Sequence, residues 1–198
     1  MISVPAVVDT ARRCVRSLRR SGGITPAGCD TARIAGGAMA ALVIAVFSTS
    51  PATASLVPTA SLQDPRHEHT ATLLNDGTVL VVGGFGNGFL RSAELFDPKT
   101  GTVRPAGSLE VARSGHTATL LHDGTVLIAG GYTSVPGGTI VDTAVNEIFD
   151  PGTGTFRRTG SLVQARFNHT ATRLRDGRVL IAGGRRWVGS VLSTAEIY

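Results

Sequence analysis

The chain has 198 residues, with 19 Lys or Arg against 14 Asp or Glu, a formal net charge of +5 with histidine neutral. Six of the basic residues but only two of the acidic ones precede Ser55, so the remainder, with thirteen basic and twelve acidic residues, is nearly neutral and has no charge excess of the kind nucleic-acid binding requires. Both cysteines, Cys14 and Cys29, also precede Ser55, which leaves the rest without an internal disulfide or a thiolate metal ligand.

Residues 1–54 have the layout of an export signal. Arg12, Arg13, Arg16, Arg19, Arg20 and Arg33 lead into an apolar run at 34–47. Its fourteen residues fall short of the roughly 20 that cross a bilayer but suit the apolar region of a secretory signal. Ser48-Thr49-Ser50-Pro51 interrupts the run, and Ala52-Thr53-Ala54 supplies a small-x-small cleavage pattern. The expectation is cleavage after Ala54 and a secreted, periplasmic or cell-surface product. The alternative is an uncleaved anchor.

Three near-copies of a sixteen-residue block follow, at His69 (HTATLLNDGTVLVVGG), His116 (HTATLLHDGTVLIAGG) and His169 (HTATRLRDGRVLIAGG), with eleven positions identical in all three. The block reads as a β-hairpin. Two β-branched and aliphatic runs flank Asp76-Gly77, Asp123-Gly124 or Asp176-Gly177, a turn dipeptide. The Gly-Gly pair ends the second strand where a side chain would obstruct close backbone approach.

The rest of each unit keeps fixed distances. Twenty-two residues separate Glu94 from His116, and twenty-two separate Glu147 from His169. Glu94-Leu95-Phe96-Asp97-Pro98 and Glu147-Ile148-Phe149-Asp150-Pro151 read as a third strand running into a turn. A short fourth strand then precedes Gly107-Ser108-Leu109 or Gly160-Ser161-Leu162. The repeats occupy 55–198, in units of about 55–97, 98–150 and 151–198. Thr59 to Arg66 aligns with the end of a fourth strand, so the repeat region is expected to open there. The periods of 47 and 53 differ in one place, the loop after Gly-Gly: ten residues from Gly84 to Glu94, sixteen from Gly131 to Glu147, twelve from Gly184 to Glu196. A loop that varies while its frame stays fixed lies on the surface.

A period near 50, four strands and the Gly-Gly pair resemble the kelch repeat, a likeness covering about residues 61–198. More narrowly, the HTATLL, DGTVLVVGG and AELFDPKTGT segments resemble bacterial kelch proteins related to the central domain of galactose oxidase. One departure is Val103, which stands where the resemblance implies an aromatic and where the next unit has Phe156. The resemblance implies an all-β fold of about three four-stranded antiparallel β-propeller blades in an incomplete ring. The exposed outer blades are then covered by further blades of a longer protein or by self-association through open blade edges. Galactose oxidase uses copper and a cysteine-linked tyrosine. Here no cysteine follows Ser55, and the only tyrosines are Tyr132 and Tyr198.

Recurring His69, His116 and His169 invite a metal reading, but a residue repeated in every blade is expected to serve the fold, here through a hydrogen bond between blades. Recurring Arg66, Arg113 and Arg166 with Glu94, Glu147 and Glu196 are expected to form ion pairs. His67 and His122 do not recur and read as ordinary surface positions. No catalytic, cofactor or metal residues are assigned. What remains is a binding face, because strand alternation brings the loops after Gly-Gly to the same face as the loops leading into each histidine. Its candidate residues are Phe85, Arg91, Arg113, Tyr132, Arg166, Arg185, Arg186 and Trp187, since aromatic residues with arginine typify interface hot spots. The expected function is an exported kelch module that binds or scaffolds a protein or carbohydrate partner. The alternative is part of a secreted galactose oxidase-like oxidoreductase or carbohydrate-active enzyme whose catalytic residues lie outside this chain.

Overall fold

A computed structural model describes residues 57–198; the expected export signal and its cleavage point lie outside the described residues. β1 (Thr70–Leu73), β2 (Val79–Val82), β3 (Ser92–Asp97) and β4 (Thr102–Ser108) form an antiparallel sheet in chain order. In the second unit β5 (Thr117–Leu120) and β6 (Val126–Ala129) are followed by a small separate hairpin, β7 (Tyr132–Ser134) and β8 (Ile140–Asp142). The sheet then continues with β9 (Glu147–Asp150) and β10 (Thr155–Arg158), in the order β5-β6-β9-β10. β11 (Thr170–Arg173), β12 (Val179–Ala182) and β13 (Ala195–Ile197) make a third sheet. No helix occurs among the described residues. Each sheet after the first therefore begins with the hairpin of its own repeat, while the sequence unit that contains this hairpin opens on the fourth strand of the sheet before. Residues 57–69 form no strand, contrary to the expected fourth-strand ending. Two of their N–H groups, at Gln63 and Asp64, donate instead to the Glu94 carboxylate.

The repeated blocks form hairpins in one register, Thr70 opposite Val82, Thr117 opposite Ala129 and Thr170 opposite Ala182. The Asp-Gly turn works differently from a two-residue hairpin turn. Gly77 takes the positive φ (87°), whereas Asp76 uses its carboxylate to accept the N–H and hydroxyl of Thr78 at 2.9 and 2.7 Å. The Gly-Gly pair is required by close approach. A Cβ on Gly84 would lie 2.6 Å from the His67 carbonyl oxygen, and Gly84 sits at φ 98°.

Side chains alternate along a strand, and the central sheet is buried on both sides, so β6 is apolar throughout. Val126 and Ile128 pack with Leu80, Val82 and Leu95 of the first sheet, and Leu127 and Ala129 pack with Val179 and Ile181 of the third. The first strands β1, β5 and β11 lie side by side, joined by a repeated polar contact. His116 Nε2 meets Thr70 Oγ1 at 2.9 Å, and His169 Nε2 meets Thr117 Oγ1 at 2.9 Å. The recurring histidines thus tie neighbouring sheets together, as the repeat implies. Backbone bonds accompany them: Gly84 N–H donates to Arg113 O and Gly131 N–H to Arg166 O, each at 2.8 Å. Gly115 N–H donates to Glu68 O at 3.3 Å and Asn168 N–H to Gly115 O at 2.9 Å.

Candidate binding site on the loop face

The site is built on a repeated backbone bridge. The residue after each Gly-Gly pair faces the residue two before each histidine, giving His67 with Phe85, Ser114 with Tyr132, and Phe167 with Arg185. The frame is constant and the side chains on it are not. The residue between each bridge and its histidine, Glu68, Gly115 or Asn168, has φ of 52°, 62° or 51°. For Glu and Asn that left-handed conformation is uncommon, and such conformations concentrate at functional sites. At position 115 a Cβ would meet the Tyr132 ring at 2.9 Å, so glycine is what lets that ring lie where it does.

These bridges carry a line of rings across the three sheets. The centroids of His67 and Phe85 are 5.6 Å apart, Phe85 and Phe89 5.1 Å, and Phe89 and Tyr132 5.4 Å, all edge-to-face. Tyr132 then lies 4.8 Å from Phe167 and stacks on Trp187 at 5.2 Å with 26° between planes. Separations of this kind suit the quadrupoles of aromatic rings. Arg185 places its guanidinium 4.8 Å from the Phe167 centroid, within cation–π range. Phe167 is buried, whereas Trp187 is 47% exposed.

Polar contacts fix the line at two points. The Tyr132 hydroxyl donates to Glu68 Oε2 at 2.5 Å, and the Ser114 hydroxyl donates to the same oxygen at 2.8 Å. The bonds from Tyr132 and Ser114 hold the Glu68 carboxyl below its ordinary pKa; burial, then the Glu68 bond, raises that of the Tyr132 phenol. Asp142, on β8, accepts the Trp187 N–H at 2.6 Å and Arg186 Nε at 3.3 Å. The inserted hairpin of the second sheet thereby holds the loop of the third. A cavity of about 310 Å³ lies between Phe167, Arg185, Arg186, Trp187, Gly189 and Val191.

The expected binding face is brought together in part. Phe85, Tyr132, Arg185, Arg186 and Trp187 belong to this cluster. Arg91 is exposed on the loop before β3 but takes no part in the line of rings. Arg113 and Arg166 do not belong to the surface, having no exposed area. Their backbone runs along this face, but their side chains turn inward. Arg113 donates to Glu147 Oε1 at 2.7 Å and to the Gly130 and Val145 carbonyls, and Arg166 donates to Glu196 and to the Gly183 and Thr194 carbonyls. Burial lowers the Arg113 pKa and the facing Glu147 opposes that shift. Arg66 pairs with Glu94 in the same way. His67 is exposed, as expected of a surface position, and also stands at the end of the line of rings.

Residues 65–110 match the Kelch motif. That stretch spans the whole first sheet, β1 to β4, together with the Arg66–Glu94 pair. The second and third sheets repeat its hairpin register and its Arg–Glu pair, so all three have the form of propeller blades, the third with three strands among the described residues. No curated protein matches the chain.

A larger concavity, about 430 Å³, lies on the opposite face between Leu74–Asp76, Asp123–Thr125 and Asp150–Gly152. Its three carboxylates already accept hydrogen bonds from their own turns, Thr78, Thr125 and Gly152. The loop face is the stronger candidate because exposed aromatic surface meets there a guanidinium, that of Arg185, with no ion pair among the described residues, whereas the turn face repeats fold-maintaining contacts. Glu68, Phe89, Ser114, Asp142 and Phe167 were not singled out from sequence. The aligned triplets Arg66-His67-Glu68, Arg113-Ser114-Gly115 and Arg166-Phe167-Asn168 carry the signal, since two variable positions sit inside a fixed frame.

Proposed function

We propose that this chain is an exported kelch scaffold that binds a protein partner on the loop face, around Tyr132, Trp187 and Arg185. The observation that carries this reading is the Tyr132–Trp187 stack, half exposed and flanked by Arg185, whose guanidinium has no ion pair among the described residues. Aromatic residues and arginine dominate interface energetics when they cluster at the centre of a patch. A carbohydrate partner has one observation in its favour, the exposed edge of the stacked indole, on which a sugar ring can lie.

Trp187 is the only tryptophan in the chain, so its emission reports on the site directly. A partner captured from the extracellular fraction, or a glycan from an array, is expected to shift that emission on titration. Saturable binding that leaves it unchanged would place the partner elsewhere. Export rests on the basic, apolar and small-x-small order of residues 12–54. Mass spectrometry of the extracytoplasmic protein is expected to find Ser55 as the first residue; a membrane-retained protein that begins at Met1 contradicts it.

A further inference from the structure

The joint between blades occurs twice within the chain, and its two halves occur once more on the outer faces of the described residues. In each internal joint the earlier blade contributes a Gly N–H, a carbonyl and a threonine hydroxyl. These are Gly84, Glu68 and Thr70 in the first joint, and Gly131, Gly115 and Thr117 in the second. The later blade contributes an Arg carbonyl, an N–H and a histidine: Arg113, Gly115 and His116, then Arg166, Asn168 and His169.

The third blade presents the earlier half again. Gly184 N–H donates to no backbone carbonyl among the described residues, and Thr170 Oγ1 is engaged only at 3.4 Å with its own strand pair. The first blade presents the later half. Arg66 O accepts no backbone N–H among the described residues, and His69 is exposed where His116 and His169 are buried.

The apolar positions repeat the same division. In the first joint Leu120 packs onto the core formed with Leu95. The equivalent of Leu120 in the first blade is Leu73, 63% exposed, and the equivalent of Leu95 in the third blade is Ile197, 49% exposed.

We infer that a second copy of this chain docks end to end, the outer face of the third blade of one copy on the outer face of the first blade of the other. The contact reproduces the internal joint, with His69 of one copy on Thr170 of its partner and Gly184 N–H on the partner's Arg66 carbonyl. It is heterologous, using different patches on the two copies, so it closes a ring where the rotation permits and otherwise extends.

Light scattering after gel filtration of the full chain at micromolar concentration tests this. The wild-type protein is expected as an assembly of two or more copies. Leu180 is the third blade's equivalent of Leu80, which packs in the first joint, and is itself only half-buried. Leu73→Asp and Leu180→Asp, one on each outer face, should each reduce the assembly to single copies and retain the β-sheet circular dichroism of the parent. Val163→Asp, at a position 95% exposed and in neither apolar core cluster, should leave the assembly intact. Mixing the Leu73→Asp and Leu180→Asp proteins should restore a pair, because each keeps the face that the other has lost. A wild-type monomer overturns the inference, and so does an assembly that survives both aspartate substitutions. A mixture that stays monomeric overturns the end-to-end arrangement, which requires the intact third-blade face of one variant to take the intact first-blade face of the other.

Discussion

The recurring arginines show how one residue can be legible in kind and illegible in placement. Their recurrence in every unit together with a recurring glutamate marks an ion pair, and that pair is present three times. The same repetition puts their backbone on the loop face, but chain position does not say that the side chain turns inward to two carbonyls and a carboxylate. Removing such a partner strands a buried charge. Arg113→Ala should therefore destabilise the fold by about 3–5 kcal/mol. Arg158→Ala breaks the exposed Arg158–Glu110 pair, in which both side chains are more than half exposed, and should cost no more than ~1 kcal/mol. Urea denaturation of the two variants compares them, and equal losses would mean that Arg113 is not the buried anchor its contacts describe. Glu68 was invisible for a related reason. Its left-handed backbone follows from the Gly115 N–H on its carbonyl and the Tyr132 hydroxyl on its carboxylate, contacts made across 47 and 64 residues of chain.

At the scale of elements, strand existence was legible wherever the hairpin blocks repeat, because period-two patterning and Asp-Gly recur with them. The six extra residues between Gly131 and Glu147 were legible only as length. They fold into β7 and β8 about Val135-Pro136-Gly137-Gly138, where Val135 N–H donates to Thr139 O and Gly138 N–H to Val135 O, both at 2.9 Å. Pro-Gly-Gly between Tyr132-Thr133 and Ile140-Val141 is a turn between β-formers, a signal masked by treating the span as one variable loop. Asp142 gives this hairpin its consequence, since its carboxylate ties the hairpin to the Trp187 loop. Asp142→Ala should leave global stability within about 1 kcal/mol, because the donors it releases, on Arg186 and Trp187, belong to exposed loop residues that water can satisfy. It should also shift Trp187 emission to the red and increase its quenching by acrylamide. Unchanged emission would show that stacking on Tyr132 suffices to hold the loop.

Across the whole molecule, the blades are held by apolar faces and by histidines that stay neutral. Burial, and then the nearby Arg113 charge, depresses the pKa of His116 to about 3; burial and Arg166 depress that of His169 to about 4. In the unfolded chain both titrate near 6.5, so below that pH the unfolded state binds protons that the folded state refuses. Stability is therefore full above pH 6.5 and declines as pH falls toward 4 and then 3. At pH 5 each histidine should cost roughly 2 kcal/mol relative to neutral pH. Urea midpoints at pH 7 and pH 5 measure it, and coincident midpoints would contradict neutral histidine joints. Blade architecture was legible at this scale because it is written three times, whereas the binding cluster was only half legible because it uses the positions that do not repeat.

That contrast between constant frame and variable side chains supports the proposed binding on the loop face, and one comparison tests it most directly. Partner affinity is measured for Trp187→Ala, Tyr132→Ala and Arg185→Ala, and for Asn75→Ala and Lys99→Ala on the opposite turns. The loop-face substitutions should each weaken binding by ~1–2 kcal/mol or more, and the turn-face substitutions should leave it unchanged. Loss of binding in Asn75→Ala and Lys99→Ala with full affinity in Trp187→Ala would put the partner on the other face and contradict the account.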